Sequence, residues 1–422
     1  MLSLLPLDRA GKVPAARLKP AQKVNFPSAL TAVVAYISAI GGKCYLTGGA
    51  VRDLLLQRPC HDFDLSVDLP PQAIQRIPGA QEMSNVTKTI IIKNRDIEIE
   101  ITPLENKGKT RMVDDLVDRD LTINSAALPL FYRHGQLILG TLLDPSGMGV
   151  KDINDGLIRF LGEVTPERVI RACRFIATLD FSAPPETIEV LRKQSNNVTA
   201  APVEIIHNEL IKILKADNPR LAFSIMKETG IFQQLLKYAG ISESLPQTAN
   251  IERVARADKS VRLIVLLREL GYNSKTVKDF LKKYAFSNDE TSKTQKLLEA
   301  LEMTEKRFPE IQQSDRAIRE ILCRLVGNKQ KDQYLSDYIK LIKAYRSISE
   351  LMEINIQKAT NSPLTVKELK VNGEDAMEAG FSGRQVGQAL NHLLQLVIAD
   401  PSLNERENLL GELKTYLKTE IS

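Results

Sequence analysis

The sequence predicts an α+β fold, in which a head with a mixed sheet and helices precedes an all-α neck, body and tail. Three observations predict it. The first third of the chain alternates strand-like and helix-like runs. The remainder repeats apolar residues at helical spacing. The length of 422 residues suits several domains, each with its own core.

Breaks in the hydrophobic pattern and proline-containing links divide the chain into five predicted segments. The clearest links fall before Thr165, at Asn218–Pro219 and at Asn361–Pro363. The predicted segments are a basic N-terminal arm over 1–28, a head over 29–160, a helical neck over 161–218, a helical body over 219–362 and a helical tail over 363–422.

The composition excludes several classes of protein. Hydrophobic residues make up 43% of the chain and charged residues 26%, which is ordinary for a globular protein. Four cysteines and four histidines are scattered along the chain, which argues against a disulfide framework or a histidine-rich metal site. No apolar run approaches the ~20 residues that span a bilayer. We therefore expect a cytoplasmic location, no membrane contact and no stable protein partner.

The first elements of the head predict a phosphate site. Lys43–Leu46 is a short predicted strand, Gly48–Gly49 a predicted turn and Ala50–Leu56 a predicted helix. Two glycines allow a phosphate to approach the backbone, and the free N–H groups at a helix start favour an anion. Arg52 in the first helical turn adds positive charge to this end of the helix.

The next predicted strand, over 61–67, carries a pair of carboxylates. Strand alternation directs Asp62 and Asp64 to one face and Phe63 and Leu65 to the other. Two like charges on one face repel each other unless cations neutralise them. Carboxylate oxygens are ligands that Mg²⁺ prefers. The pair therefore predicts a magnesium site.

A further strand, which we expect to run antiparallel to the first, offers three more acids. Asp96, Glu98 and Glu100 alternate with isoleucines and share one face. One of these acids would complete a three-carboxylate site for two metal ions. The alternative is an acidic strand that simply faces solvent.

Together these residues resemble the DNA polymerase β-like nucleotidyltransferase superfamily. More narrowly, they resemble the bacterial-type (class II) tRNA nucleotidyltransferase (CCA-adding enzyme) and poly(A) polymerase family. The family's first motif stands here as Gly48, Gly49, Val51, Arg52, Asp53, Asp62 and Asp64. Its ribose-recognition motif stands as Arg119, Asp120, Thr122 and Asn124, with Asp118 where the family has an arginine.

The resemblance continues beyond these two motifs, over most of residues 29–410. The next motif matches at Asp144, Pro145, Gly147, Asp152 and Arg159. The neck resembles the family at Glu204, Glu209 and Leu210. The RNA-binding tail of the family is matched by Gly373, Gly380, Gly383 and Gly387.

The resemblance implies addition of CMP and AMP from CTP and ATP to the 3′ end of tRNA, without a nucleic-acid template. Asp62 and Asp64 are then expected to bind two Mg²⁺, assisted by Glu100 or, second to it, Glu98. The nucleotide-binding residues implied are Gly48 and Gly49 with Arg52 for the triphosphate, Arg119, Asp120 and Asn124 for the ribose and nucleotide, and Arg168 and Arg171 for the base or phosphates.

The positive charge is concentrated in the predicted body. Nine basic and four acidic residues lie between Ile251 and Phe286, which gives this stretch a net charge equal to the +5 of the whole chain. We expect the stretch to grip the tRNA backbone together with the tail. The candidate RNA-binding residues are Arg253, Arg256, Lys282 and Lys283. The alternative is a solvated helix face.

Two departures from the family bear on base choice. Val164 and Thr165 replace an acidic pair that precedes the helix carrying Arg168 and Arg171. A hydroxyl offers a weaker acceptor than a carboxylate. The loop-like, polar segment between Glu100 and Arg119 is also short for the family, and relatives with a short loop tend to add only CC.

Three alternatives therefore stay open beside full CCA addition. The chain could add CC alone. It could be a poly(A) polymerase, which shares the same motifs. It could also be a non-catalytic RNA-binding relative, although the Asp62 and Asp64 pair argues against that role.

Overall fold

The computed structural model describes residues 26–82, 89–94, 97–240, 250–326 and 331–421. Nearly all of the predicted basic arm, and Asp96, lie outside these residues. The chain divides into two compact units. One comprises the residues up to Ala201 together with Ser224–Ile231, and the other comprises Pro202–Phe223 and Phe232–Ser422.

Seven strands are present among the described residues, and they form one mixed sheet in the first unit. The strand order is β3-β4-β5-β2-β1-β6-β7. The strands are β1 (Cys44–Thr47), β2 (Asp62–Val67), β3 (Gln81–Glu82), β4 (Ile90–Asn94), β5 (Ile97–Pro103), β6 (Ala127–Arg133) and β7 (Gln136–Leu139).

Helices before, between and after these strands also belong to the first unit. They are α1 (Ser28–Ala39), α2 (Gly48–Leu55), α3 (Pro71–Ile74), α4 (Met112–Val117), α5 (Gly149–Asp155), α6 (Pro166–Leu179) and α7 (Pro185–Gln194). Short 3-10 helices cover Glu105–Lys107, Thr122–Asn124 and Ser195–Ala200. The apolar face of α1 and the buried residues of α2 pack in one core with the inward side chains of β1, β2 and β5.

The register of β2 and β5 corrects one prediction. β5 pairs with β2 in the parallel direction, so the antiparallel orientation expected for it is wrong. The reason is that the chain between them forms α3 and then β3 and β4, and β4 is the strand that pairs antiparallel with β5. The sequence pattern did not predict β4 as a separate strand. In the observed register Asp62 lies beside Glu98, and Asp64 lies beside Glu100.

The remainder of the described chain is helical. It contains α8 (Val203–Lys215), α9 (Pro219–Glu228), α10 (Ile231–Tyr238), α11 (Ile251–Arg256), α12 (Arg262–Glu269), α13 (Val277–Lys283), α14 (Asn288–Lys306), α15 (Phe308–Gln313), α16 (Asp315–Val326), α17 (Lys331–Tyr345), α18 (Glu350–Thr360), α19 (Gly373–Glu378), α20 (Arg384–Ala399) and α21 (Arg406–Ile421). Short 3-10 helices cover Val366–Glu368 and Pro401–Leu403.

Buried arginines close helix ends within the second unit. Arg262 donates to the carbonyls of Leu214 and Ala216 at the end of α8. Arg319 donates to the carbonyl of Ile398 at 2.8 Å, near the end of α20. Carbonyls at a helix end lack partners within the helix, so these contacts satisfy them. None of the described helices is both long and apolar enough to cross a membrane.

Candidate active site

The glycine turn lies directly against the second strand. Gly48 adopts a φ of +61°, a conformation that residues with a Cβ rarely adopt. A Cβ at this position would stand 2.8 Å from Oδ2 of Asp64. The Gly49 N–H donates to the Asp64 carboxylate, and Thr47 Oγ1 donates to the Asp64 carbonyl at 3.2 Å. Glycine is therefore required here by close approach as well as by backbone conformation.

The carboxylates of β2 occupy the face that the sequence predicted. Asp62 is exposed and Asp64 half-buried, whereas Phe63 and Leu65 are buried in the core on the opposite face. Burial raises the pKa of the Asp64 carboxyl, and the charge of Asp62 acts in the same direction. The positive charge of Arg119 opposes this rise.

The acids of β5 add negative charge next to this pair. Burial, together with the charges of Asp64 and Glu98, raises the pKa of Glu100. Glu98 forms an ion pair with Lys93 of β4 at 3.0 Å. Because Glu98 is paired with Lys93, Glu100 is the β5 acid whose negative charge acts on Asp64.

The chemistry of this donor set fits magnesium in a limited way. Carboxylate oxygens suit Mg²⁺, which usually takes one or two protein carboxylates and completes its shell with water and phosphate oxygens. Over the described residues, no three or more His, Cys, Asp or Glu side chains converge as a metal-binding group. Asp62 and Asp64 lie on one face of β2, and two carboxylates match the number that a protein usually offers to Mg²⁺.

A polar network, buried except at Arg171, joins four of the predicted nucleotide-binding residues. Arg52 donates to Oδ1 of Asn124 at 2.9 Å, and Asn124 Nδ2 donates to Oδ1 of Asp120 at 3.0 Å. Arg171 of α6 pairs with Oδ2 of Asp120 at 2.9 Å. The Arg52 guanidinium also lies 5.2 Å from the centre of the Phe175 ring. The fold therefore brings together residues that the chain separates by more than a hundred positions.

Arg168, which is expected to contact the base or phosphates, donates to four backbone carbonyls in this structure. Its Nη2 donates to the Asp118 carbonyl at 2.6 Å, and its Nη1 donates to the Glu163 carbonyl at 2.8 Å. Further carbonyl contacts at 3.3 Å involve Arg119 and Leu161. The guanidinium thus ties the start of α6 to the segment that carries Arg119. Sequence could not reveal the contacts with Asp118 and Arg119, because these carbonyls come from a distant part of the chain.

Arg119 itself is held by an acid that the sequence analysis did not single out. Its Nη2 lies 2.5 Å from Oδ2 of Asp115, one helical turn earlier. Lys107 pairs with the other oxygen of Asp115 at 3.0 Å. The i, i+4 spacing of Asp115 and Arg119 was a signal that could have found this pair.

The segment before Arg119 is also more ordered than its polar composition suggested. It was expected to be loop-like, which is wrong for the 3-10 helix Glu105–Lys107 and for α4. Met112 and Leu116, four residues apart, are buried and pack in a small cluster with Leu104 and Leu143. This apolar pair stabilises a helix within a mostly polar segment.

The departures at the start of α6 lie at its N-terminus. Thr165 is the N-cap residue of α6, with Pro166 in the first turn. The Thr165 hydroxyl hydrogen-bonds the Glu167 carboxylate and lowers its pKa. The apolar face predicted for α6 is confirmed, since Val169 and Cys173 are fully buried.

Two other acids of the head motifs, Asp144 and Asp152, stabilise the elements that carry the site residues. Asp152 is fully buried and accepts from Thr122 Oγ1 at 2.7 Å and from Arg159 Nε at 3.0 Å. Asp144 accepts from the Val150 N–H at 3.0 Å. These contacts hold the 3-10 helix that carries Asn124 against α5.

The four candidate RNA-binding residues lie in the second unit and differ in their engagement. Arg253 pairs with Glu269 at 2.6 Å, and Lys283 donates to the Tyr238 carbonyl at 2.7 Å. Arg256 and Lys282 are exposed. Lys282 and Lys278 are exposed one turn apart on α13, and the exposed Lys275 lies just before this helix.

Three family models match successive parts of the chain. A model for the poly(A) polymerase head domain matches residues 44–159, and a model for the RNA and SrmB-binding site of polymerase A matches residues 180–240. A model for tRNA nucleotidyltransferase domain 2 matches residues 257–413. The chain belongs to the tRNA nucleotidyltransferase and poly(A) polymerase family. The resemblance inferred from the sequence is thereby confirmed.

Curated relatives of this family member are similar over nearly their whole length. The CCA-adding enzyme of Ligilactobacillus salivarius is 27% identical over 425 residues, covering 91% of this chain and 95% of the relative. The CCA-adding enzyme of Bacillus subtilis is 26% identical over 404 residues, covering 89% of this chain and 94% of the relative.

Solved structures of the family confirm the predicted fold class. The CCA-adding enzyme of Bacillus stearothermophilus in complex with CTP has a TM-score of 0.68 at 24% identity, covering 93% of this chain and 97% of that one. The Thermotoga maritima enzyme complexed with tRNA has a TM-score of 0.59 at 21% identity, covering 96% and 98%. At this identity the likeness concerns the fold.

Proposed function

We propose that this chain adds CMP and AMP, taken from CTP and ATP, to the 3′ end of tRNA with release of pyrophosphate. The relatives named CCA-adding enzymes, which match along nearly their full length, support it. The observation that carries the proposal is the approach of Gly48 to Asp64, because it joins a phosphate-binding turn to the carboxylate pair.

The carboxylate pair is proposed as the metal site. Asp62 and Asp64 would hold two Mg²⁺, and Glu100 would add negative charge that favours cations beside Asp64. Bound Mg²⁺ supplies activation of the 3′-hydroxyl and neutralises charge on the leaving pyrophosphate. The Gly49 N–H donates to the half-buried Asp64 carboxylate and so helps to orient it.

The nucleotide is proposed to lie along the polar network. The N–H groups at the start of α2 and the Arg52 guanidinium would contact the triphosphate. Asp120 and Asn124 would contact the ribose. Asn124 is hydrogen-bonded to both Arg52 and Asp120. Replacing Asn124 would therefore disturb the contact of Arg52 with the triphosphate as well as the contact with the ribose.

Base choice is proposed to be weaker than is usual in the family. Arg168 makes contacts with backbone carbonyls, and Thr165 bonds to Glu167. Neither group is then arranged as a paired donor and acceptor for the edge of a base. We expect reduced discrimination against UTP, and more ready addition of CC than of the final A.

The tRNA is proposed to bind through the exposed basic residues of the second unit. Arg256 and Lys282 are available to phosphates in the described structure, whereas Arg253 and Lys283 also serve contacts within the unit. Binding should weaken as salt rises. A cytoplasmic location is part of the proposal, because tRNA and nucleoside triphosphates are found there.

Primer extension tests this proposal directly. A tRNA that ends at the discriminator base is incubated with CTP, ATP, UTP or CTP with ATP, and product lengths are read on a gel. We expect CC with CTP and CCA with both nucleotides. Products that stop at CC identify a CC-adding enzyme, and long A tails identify a poly(A) polymerase.

A pair of variants makes the assay specific to the site. Asp64→Ala should abolish extension. Asp155→Ala should not, because Asp155 is an exposed residue paired with Lys151 on α5. No extension of any RNA by the unaltered chain, with Mg²⁺ present, would contradict the proposal and favour a non-catalytic RNA-binding role.

A further inference from the structure

An exposed aromatic side chain stands on the outer face of the β6–β7 hairpin, at one edge of the sheet. Phe131 is 43% exposed, and Ile138, its neighbour across the two strands, is 41% exposed. Three aromatic side chains are exposed among the described residues, Phe131, Tyr132 and Tyr238, so this hairpin carries two of them. Strand alternation directs Tyr132 to the opposite face. The outer face therefore presents one ring, that of Phe131, to solvent.

The Phe131 ring has close neighbours on two sides. Gly140 leaves room for one edge of the ring, because a Cβ there would stand 2.8 Å from Cε2 of Phe131. The Arg133 guanidinium lies 5.7 Å from the centre of the ring, within the range of a cation–π contact. Residues two apart on a strand share a face, so the ring and the cation stand side by side on the outer face.

The hairpin is basic and carries no opposing charge of its own. The run 127–140 contains Arg133 and His134 but no Asp or Glu. Within the part of the chain that the structure describes, Arg133 forms no ion pair. Gln136, which lies opposite Arg133 on β7, adds an uncharged amide to the same face. An exposed ring beside such a cation is complementary to a ligand with flat rings and negative charge, which is the chemistry of RNA.

The outer face of the hairpin is the face of the sheet that carries the carboxylate pair. Asp64 lies beside Thr47 of β1, and Thr47 lies beside Ala127 of β6. Phe131 stands further along β6 on the same face, about 16 Å from Asp64 at ordinary strand rise and spacing. The cluster that contains α4 covers Ala127 between them and leaves Phe131 exposed. An RNA with its 3′ end at Asp64 is therefore close enough to reach Phe131 with a few upstream nucleotides that pass beside α4.

We propose that the outer face of the β6–β7 hairpin binds an unpaired segment of the RNA substrate, with one base stacked on Phe131 and a neighbouring phosphate bound by Arg133. This inference rests on the proposed function, which supplies the RNA. Stacking on an aromatic ring suits any base, because every base has a π face. A guanidinium donates charge-assisted hydrogen bonds to phosphate oxygens. Both residues bind RNA away from the reacting atoms, so neither is a catalytic residue.

Fluorescence anisotropy with a labelled single-stranded RNA, in the absence of nucleotides, tests the inference without requiring turnover. Phe131→Leu keeps an apolar contact with Ile138 but removes the ring, so RNA affinity should fall about tenfold. Phe131→Tyr should keep the affinity. Arg133→Ala should make the negative slope of log affinity against log salt shallower by about 1. The matched control is Ile138→Ala, which removes an exposed apolar side chain from the same face but no ring, and should bind RNA as the unaltered chain does.

The outcomes are distinct. Equal RNA affinity of Phe131→Leu and the unaltered chain would overturn the inference, and so would an equal loss in Ile138→Ala. Dimers of the unaltered chain in sedimentation velocity that Phe131→Leu dissociates, with RNA affinity unchanged, would assign this face to a second copy of the chain instead. Failure of tRNA extension by the unaltered chain, with RNA binding that still depends on Phe131, would contradict the proposed function alone.

Discussion

Replacing Gly48 with alanine is expected to disable the site by displacing Asp64. Alanine in the left-handed region costs about 1–2 kcal/mol. The new Cβ would also stand 2.8 Å from Asp64 Oδ2, closer than such atoms approach each other. The carboxylate must therefore move, which weakens the charge-assisted bond from the Gly49 N–H. A shift of ~1 Å in a catalytic group costs on the order of 100-fold in rate.

Gly41→Ala is the matched control for this prediction. Gly41 also has a positive φ, +80°, but no atom lies within 4 Å of a Cβ built there. Both variants should lose about 1–2 kcal/mol in urea unfolding. Only Gly48→Ala should lose about 100-fold in kcat/KM for CTP addition to tRNA. Equal kcat/KM for the two variants would refute the argument from close approach.

Three further predictions concern the metal ligands, the ribose and the RNA. Asp62→Ala or Asp64→Ala should abolish addition yet leave tRNA affinity near that of the unaltered chain, as filter binding would report; activity in both variants would remove the assignment. Asn124→Ala should bring the use of dNTPs and NTPs closer together, and a wild type that uses both equally would count against a ribose contact. Lys282→Ala should make the negative slope of log affinity against log salt shallower by about 1. An unchanged slope would exclude a phosphate contact.

Local periodicity in the sequence was sufficient to predict which residues of a single strand or helix share the buried face. Alternation placed Asp62 and Asp64 opposite Phe63 and Leu65, and helical spacing placed Val169 and Cys173 on the buried side of α6; both are confirmed. These features depend on the backbone geometry of one element and on which side meets the core. They need no knowledge of partners elsewhere in the chain.

Local periodicity did not predict the direction of β5 or the helical structure of the segment around Lys107. The direction of β5 relative to β2 depends on how many strands the chain between them forms. The sequence pattern did not predict β4, which is the strand that pairs antiparallel with β5. The helix α4 is stabilised by Met112 and Leu116 inside a polar segment, and their apolar partners, Leu104 and Leu143, flank them at a distance in sequence. Tertiary packing decided both points.

The buried network explains why motif residues combine structural and chemical roles. Arg52 is 8% exposed and Asn124 5%, so the hydrogen bond between them is shielded from water. A buried polar group without a partner costs about 1–3 kcal/mol. An alanine at Asn124 therefore leaves both Arg52 and Asp120 short of a bond, and stability falls together with activity. A change in sugar preference between substrates, measured within one variant, separates the two effects, because lost stability alone lowers the rate with NTPs and with dNTPs equally.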